Sequence, residues 1–262
     1  MKKLFAVILT VLLTISCSSS DSDSVSPIDN DNILLRKLIS TSSLNPGDTY
    51  TNTYTYNGRK LATINVGDNT DFRYYYTGEL ITTVKDYFQG TLQGTATFQY
   101  DGSSRLILWT EYVDAPETRI NRQMEFHYNN DGTITVNGQI FDVGEKQLFP
   151  INTQRYFLNE NDEVERVEVL FPNGTQVVRY TYDNRNNAFK NITGFREINK
   201  LFLGGFNANI TSILYSGYDS GYNDSSAEVR TYTYDTNDFP VAGVRSRPND
   251  ANMSTMTDQY IY

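Results

Sequence analysis

The chain has 262 residues, a formal net charge of −9, and 20 tyrosines among an aromatic content of 13%. An acidic surface without basic clusters argues against nucleic acid and anionic lipid as partners. A single Cys rules out internal disulfides and thiolate metal clusters, and a single His, His127, leaves a histidine-based triad one candidate.

Residues 1–16 read as a lipoprotein signal peptide. Lys2-Lys3 form a positive head, and the apolar run from Leu4 to Ile15 is too short to span a bilayer as a helix. Thr14-Ile15-Ser16-Cys17 resembles the lipobox, which implies acylation of Cys17 and an anchor without a transmembrane helix. Residues 17–31 supply the lipidated Cys and a Ser/Asp-rich stretch. It is too polar to order itself and is expected to be a flexible tether. Acidic residues just after such a Cys resemble the surface-export signal of Bacteroidetes lipoproteins. The expected address is the outer membrane, lipid-anchored, with the cell surface favoured over the periplasmic face.

Residues 32–262 form one predicted domain, long enough to bury a substantial core. After an opening strand from Ile33 to Ile39 comes Tyr54-Thr-Tyr56, then a polar turn, then an apolar strand. The unit recurs at Tyr74–Tyr76, Phe98–Tyr100, Phe126–Tyr128, Tyr156–Leu158, Tyr180–Tyr182 and Tyr232–Tyr234, and Tyr260-Ile-Tyr262 is its first half. Alternate strand residues share a face, so each pair of rings points inward and the middle residue outward. Asn57-Gly58 and Asp101-Gly102 suit tight hairpin turns. The 52-residue step from 182 to 234 is about two periods, which reads as one copy lost or overwritten.

These motifs resemble the YD-repeat (Rhs-like) pattern, in the divergent form of secreted Bacteroidetes lipoproteins of unknown function. Long YD arrays are shells around a cargo, and eight or fewer units are too few for one. Phe195 to Leu203 breaks the pattern, with apolar residues near helical spacing before Gly204-Gly205. A short helix near 196–203, capping one mouth of a rolled sheet, is the expectation. The fold class is therefore all-β: an antiparallel meander of hairpins in a strongly curved sheet or incomplete barrel.

No catalytic residue is assigned and a non-enzymatic protein is expected. No Gly-x-Ser-x-Gly elbow accompanies His127, which should face water. Glu111, Asp114 and Glu117 near Trp109 form the least ordinary acidic cluster, and a carboxylate-dependent glycan-active enzyme is the rival reading. The run Glu160 to Glu168 reads as a turn and a strand with one wet face. Trp109, Tyr112, Tyr218 and Tyr222 fall in or near predicted loops and are the candidate ligand-binding residues. A glycan, a tetrapyrrole or a protein would be their ligand, and a structural envelope protein without a ligand is the alternative. No cofactor is predicted from spacing. Asp29-Asn-Asp31 and Asn129–Gly132 offer oxygens to calcium without an EF-hand spacing. Some related lipoproteins are thought to hold a porphyrin-like ligand, for which His127, a Tyr, Met124, Met253 or Met256 could serve an iron.

Overall fold

The computed structural model describes residues 32–262 apart from 45–46, 48, 116–117, 143–146, 204, 218–226 and 248–254. The signal peptide, Cys17 and the tether lie outside the described residues, as does the Asp29–Asp31 calcium expectation. Strand β1 (Lys37–Ser42) precedes seven hairpins. The first four pair β2 (Thr49–Asn57) with β3 (Lys60–Asn65), β4 (Thr70–Thr77) with β5 (Leu80–Phe88), β6 (Thr91–Tyr100) with β7 (Leu106–Ala115), and β8 (Thr118–Tyr128) with β9 (Ile134–Asp142). The last three pair β10 (Gln147–Leu158) with β11 (Val164–Phe171), β12 (Gly174–Tyr182) with β13 (Ile210–Gly217), and β14 (Ala227–Tyr234) with β15 (Pro240–Ser246). Strand β16 (Met256–Ile261) follows, and helix α1 (Phe195–Leu203) lies between β12 and β13.

The sheet is a closed barrel, which corrects the expected incomplete one. The half-unit on β16 finds its second half in β1, in register from Lys37 opposite Ile261 to Ser42 opposite Met256. Closure leaves no edge of unpaired backbone groups. The 52-residue step is corrected as well. Tyr182 ends β12 and Tyr234 ends β14, so eight units are all present and the extra length is an insertion within one turn.

The aromatic pairs line the lumen as expected. The first aromatics, such as Tyr54, Phe98 and Phe126, are buried, while the middle residues Thr55, Tyr75, Gln99, His127, Thr181 and Thr233 are exposed. The second aromatics form the ring nearest the turns. Opposite each stands the apolar residue that leaves the turn: Leu61, Ile81, Leu106, Ile134, Val164, Ile210 and Pro240 in turn. A register shift one residue earlier, as between Gln99 and Tyr100, keeps both partners inward in six of these hairpins.

The ring hydroxyls then tie unit to unit. Tyr100 donates to the Ile81 carbonyl at 2.7 Å, Tyr128 to Leu106 at 3.1 Å, and Tyr182 to Val164 at 2.6 Å. Across the seam, Tyr262 donates to Pro240 at 3.0 Å and Tyr56 to Leu35 at 2.7 Å, so Leu35 acts as the eighth turn-exit residue. A phenol buried in an aromatic lumen needs such an acceptor. Burial raises the pKa of these tyrosines, to about 12 for Tyr54, Tyr76 and Tyr180.

The turns explain the polar residue after each pair. Asp101 Oδ1 accepts the backbone N–H groups of Ser103 and Arg105, and Asn159 and Asp235 cap their own turns in the same way. The fourth turn residue takes a left-handed conformation at Ser104, Asp162 and Asp238. A short side chain that mimics a backbone turn is what this geometry needs.

Candidate functional site

The insertion is spliced into that same turn. Asp183 N–H donates to the Asn209 carbonyl and Asn209 N–H to Asp183 Oδ1, matching Asp101 and Arg105 in the ordinary turn. Residues 184–208 therefore replace the three residues 102–104, and they fold into the barrel mouth as a plug.

Helix α1 carries the plug's apolar face. Phe195 and Leu201 are buried, and Phe202 stands at 5.3 Å from Trp109 and 6.0 Å from Phe126, ring to ring. Phe189, just before the helix, meets Tyr54 at 6.0 Å and Phe195 at 5.5 Å. A sixteen-stranded barrel is wide enough for an aqueous channel. Here the two aromatic rings and the plug fill the end nearest the turns.

Polar clamps fix the plug's orientation. Glu163 is 1% exposed and accepts the backbone N–H groups of Phe206, Asn207 and Ala208. The 160–168 run is the turn and half-wet strand expected, and one of its carboxylates also caps the plug. Lys200, also buried, reaches Asp162 at 2.9 Å. Asn191 donates to the Ile33 carbonyl, so the plug also holds the segment leading into β1.

Beyond the plug, β14–β16 bring charge into the lumen. Inward parity set by Tyr232 and Tyr260 carries two residues further, to Arg230 and Asp258. Arg245 donates to both oxygens of Asp258, at 2.7 and 3.0 Å, and Asp258 is 3% exposed and also accepts from Ser40 at 2.6 Å. Arg230 donates to Glu228 at 2.6 Å. A cavity of about 260 Å³ lies between this wall and the plug. A second depression of about 400 Å³ sits at the turn end, lined by Asn159, Glu163, Asp183 and Arg185. Its polar groups serve the plug: Asp183 accepts from Asn209 and Tyr234, and Arg185 pairs with Asp238.

The candidate ligand residues separate. Trp109 and Tyr112 both lie on β7 rather than in loops, and parity sends them to opposite faces. Trp109 packs inside against Phe202, and Tyr112 stands 52% exposed on the outer wall beside Phe141, Gln123 and Gln139. Tyr218, Tyr222, Met253 and Glu117 lie outside the described residues. Glu111 pairs with Arg122 at 3.1 Å. His127 is exposed, 3.6 Å from Glu125. In the Asn129–Gly132 turn, Asp131 accepts from the Thr133 hydroxyl and pairs with Arg155. Among the described residues no three His, Cys, Asp or Glu side chains converge as a metal site would require.

The sequence reading missed Arg230, Arg245 and Asp258. The two-residue period, applied outward from Tyr232 and Tyr260 along their strands, reaches Arg230 and Asp258, while Arg245 follows only from the β14–β15 register that sets it opposite Arg230.

The outer wall mixes polar rows with exposed apolar side chains such as Tyr75, Tyr112, Phe141, Leu170, Val244 and Ile261. One hydrogen-bonded row runs Thr55, Thr63, Arg73, Lys85, Thr95, Tyr112 and Asn121. Another runs His127, Thr135, Arg155 and Glu168, and a third runs Phe157, Arg166 and Arg179. The guanidinium of Arg166 covers the exposed-face ring of Phe157 at 3.6 Å, and that of Arg73 covers Tyr87 at 4.0 Å.

No family model and no curated protein matches the chain. Solved structures do. A porin-like protein from Bacteroides vulgatus aligns with a TM-score of 0.60 at 15% identity, over 88% of this chain and 98% of its own. A porin-like protein from Bacteroides uniformis aligns with a TM-score of 0.52 at 14% identity, over 87% and 97%. The likeness is one of fold. Sequence identity this low carries the barrel across and leaves location and activity to the residues themselves.

Proposed function

We propose that this chain is a non-enzymatic outer-membrane lipoprotein, held by acylated Cys17 and the residue 17–31 tether, whose barrel stays in water and binds a small ligand in its half-plugged lumen. The outer wall carries this reading. A barrel in lipid needs an apolar outer band about 25 Å tall, and Arg or Lys at the bilayer midplane costs about 2–4 kcal/mol apiece. Arg73, Lys85, Arg155, Arg166 and Arg179 stand within the strands on that wall, among threonines and glutamines. The paired tyrosines of the repeat point inside, while hydroxyls and charges stand outside among scattered rings such as Tyr75, Tyr87 and Tyr112. Such a barrel requires a lipid anchor to reside at a membrane, and Thr14–Cys17 supplies the sequence for one.

The test replaces residues 1–17 with a cleavable secretory signal that lacks the Cys. The expected product is a folded barrel released in the aqueous fraction without detergent, while the wild type stays with membranes and incorporates labelled fatty acid. Recovery of the Cys-free barrel as an integral membrane protein, or discrete channels in planar bilayers, overturns the reading. A thermal-shift screen of glycans, organic anions and tetrapyrroles then tests for a ligand, because anything binding only the native state raises Tm.

A further inference from the structure

Resting on the reading that the lumen takes a ligand, we propose that the cavity between the plug and β14–β16 binds a sugar acid, a single sugar ring bearing a carboxylate. The volume of about 260 Å³ suits one ring, small against the ~300–1,000 Å³ typical of drug-sized ligands. Its lining carries two guanidinium groups, Arg230 and Arg245, and no carboxylate. From outside the lining, Glu228 accepts from Arg230 Nε and Asp258 from Nε and one terminal nitrogen of Arg245, fewer bonds than the five donors each guanidinium carries. In a chain of net charge −9, this is a cationic lining against an acidic background.

A guanidinium matches a carboxylate in shape and charge, and a partly desolvated site strengthens the pairing. The Arg230 and Arg245 side chains are 23% and 35% exposed, so the site is open to solvent and yet sheltered. Phe189, Tyr232 and Tyr260 offer ring surface for the C–H faces of a sugar. Asn199 from α1 completes the lining. It is 2% exposed, its Nδ2 donates to the Gly205 carbonyl at 2.7 Å, and its Oδ1 has no partner. A ligand hydroxyl would supply the missing donor, since a buried acceptor left unsatisfied costs stability. Inorganic phosphate would engage the arginines and leave both the rings and Asn199 unused.

The full-length lipidated protein in detergent is titrated calorimetrically with glucuronate and galacturonate, and with glucose, galactose, acetate and inorganic phosphate as comparisons. Saturable binding of a uronate at one per chain is expected, at least about tenfold tighter than the neutral sugar or acetate. The double variant E228Q/R230Q removes the ion pair together, and Arg247, which also approaches Glu228 at 3.7 Å, keeps partial access to solvent. It should fold, by its Tm, and lose at least about tenfold in uronate affinity. Asn199→Asp, which places an anion in the lining, should abolish binding. Neutral sugars or phosphate binding as tightly as the uronate overturn the sugar-acid assignment and leave a lumen ligand standing. Uronate affinity unchanged in E228Q/R230Q overturns the site. If no probe binds, the proposal falls. The lumen reading falls with it only when the wider thermal-shift screen also yields no ligand that this variant loses.

Discussion

Tyr100 shows what one repeat residue does. Its ring fills the lumen opposite Leu106, and its hydroxyl donates to the Ile81 carbonyl of the preceding unit. Tyr100→Phe keeps the ring and removes only the donor. The expected loss is about 1 kcal/mol, or roughly 2–4 °C in Tm, read by thermal unfolding. Leu158 occupies the same place in its unit without a hydroxyl, so the ring tolerates one missing tie. Facing was legible at this scale, because a two-residue period with eight copies fixes which side chains share a side. The hydroxyl partners were not, since their acceptors lie 18 to 22 residues back in the chain. Trp109 and Tyr112 were misplaced for a related reason. Their neighbouring acidic residues suggested a loop, yet Glu111 lies within β7 and pairs across to Arg122 on β8.

The plug is the element that most depends on close approach. Gly194, immediately before α1, has φ +72°, and an added Cβ would stand 2.4 Å from the Glu79 carbonyl oxygen and 3.1 Å from the Ile81 nitrogen. Gly194→Ala therefore meets both a left-handed backbone and the rim of β5. A loss of about 2 kcal/mol or more is expected in urea unfolding, larger than for an exposed turn glycine such as Gly58→Ala. The helix was legible from the spacing of Phe195, Ile198, Leu201 and Phe202. Its host turn was hidden, because Asp183 and Asn209 become neighbours only after 25 intervening residues (184–208) fold back between them. A count of periods could not distinguish a lengthened turn from a missing copy.

For the whole molecule, the tyrosine lumen sets a limit at high pH. The folded-state pKa values are raised above the ordinary 10.0, mainly by burial, so the native barrel holds phenolic protons that the unfolded chain releases. Their contribution is complete below pH 10 and is lost as pH climbs through about 12. Alkaline titration should thus show phenolate absorbance from the ring tyrosines arriving together with loss of the β-sheet signal. Smooth ionisation of these tyrosines in a still-folded barrel would contradict the packed lumen. All-β class and curvature were legible from the repeat, whereas closure was not. Nothing local to Lys37–Ser42 announces that its partner is Met256–Ile261.

That seam also dictates an order of events. Ser40 and Asp258, hydrogen-bonded across it, are separated by 218 positions, whereas each hairpin pairs strands that follow one another in the chain. Contacts of such long range carry the largest loop-closure entropy and come late in folding. Until the seam pairs, the folding sheet is expected to be an open curved ribbon with two bare edges and an uncovered tyrosine face, a species prone to edge-to-edge association. The last strand works as a clasp, pairing with β1 to shut the ribbon.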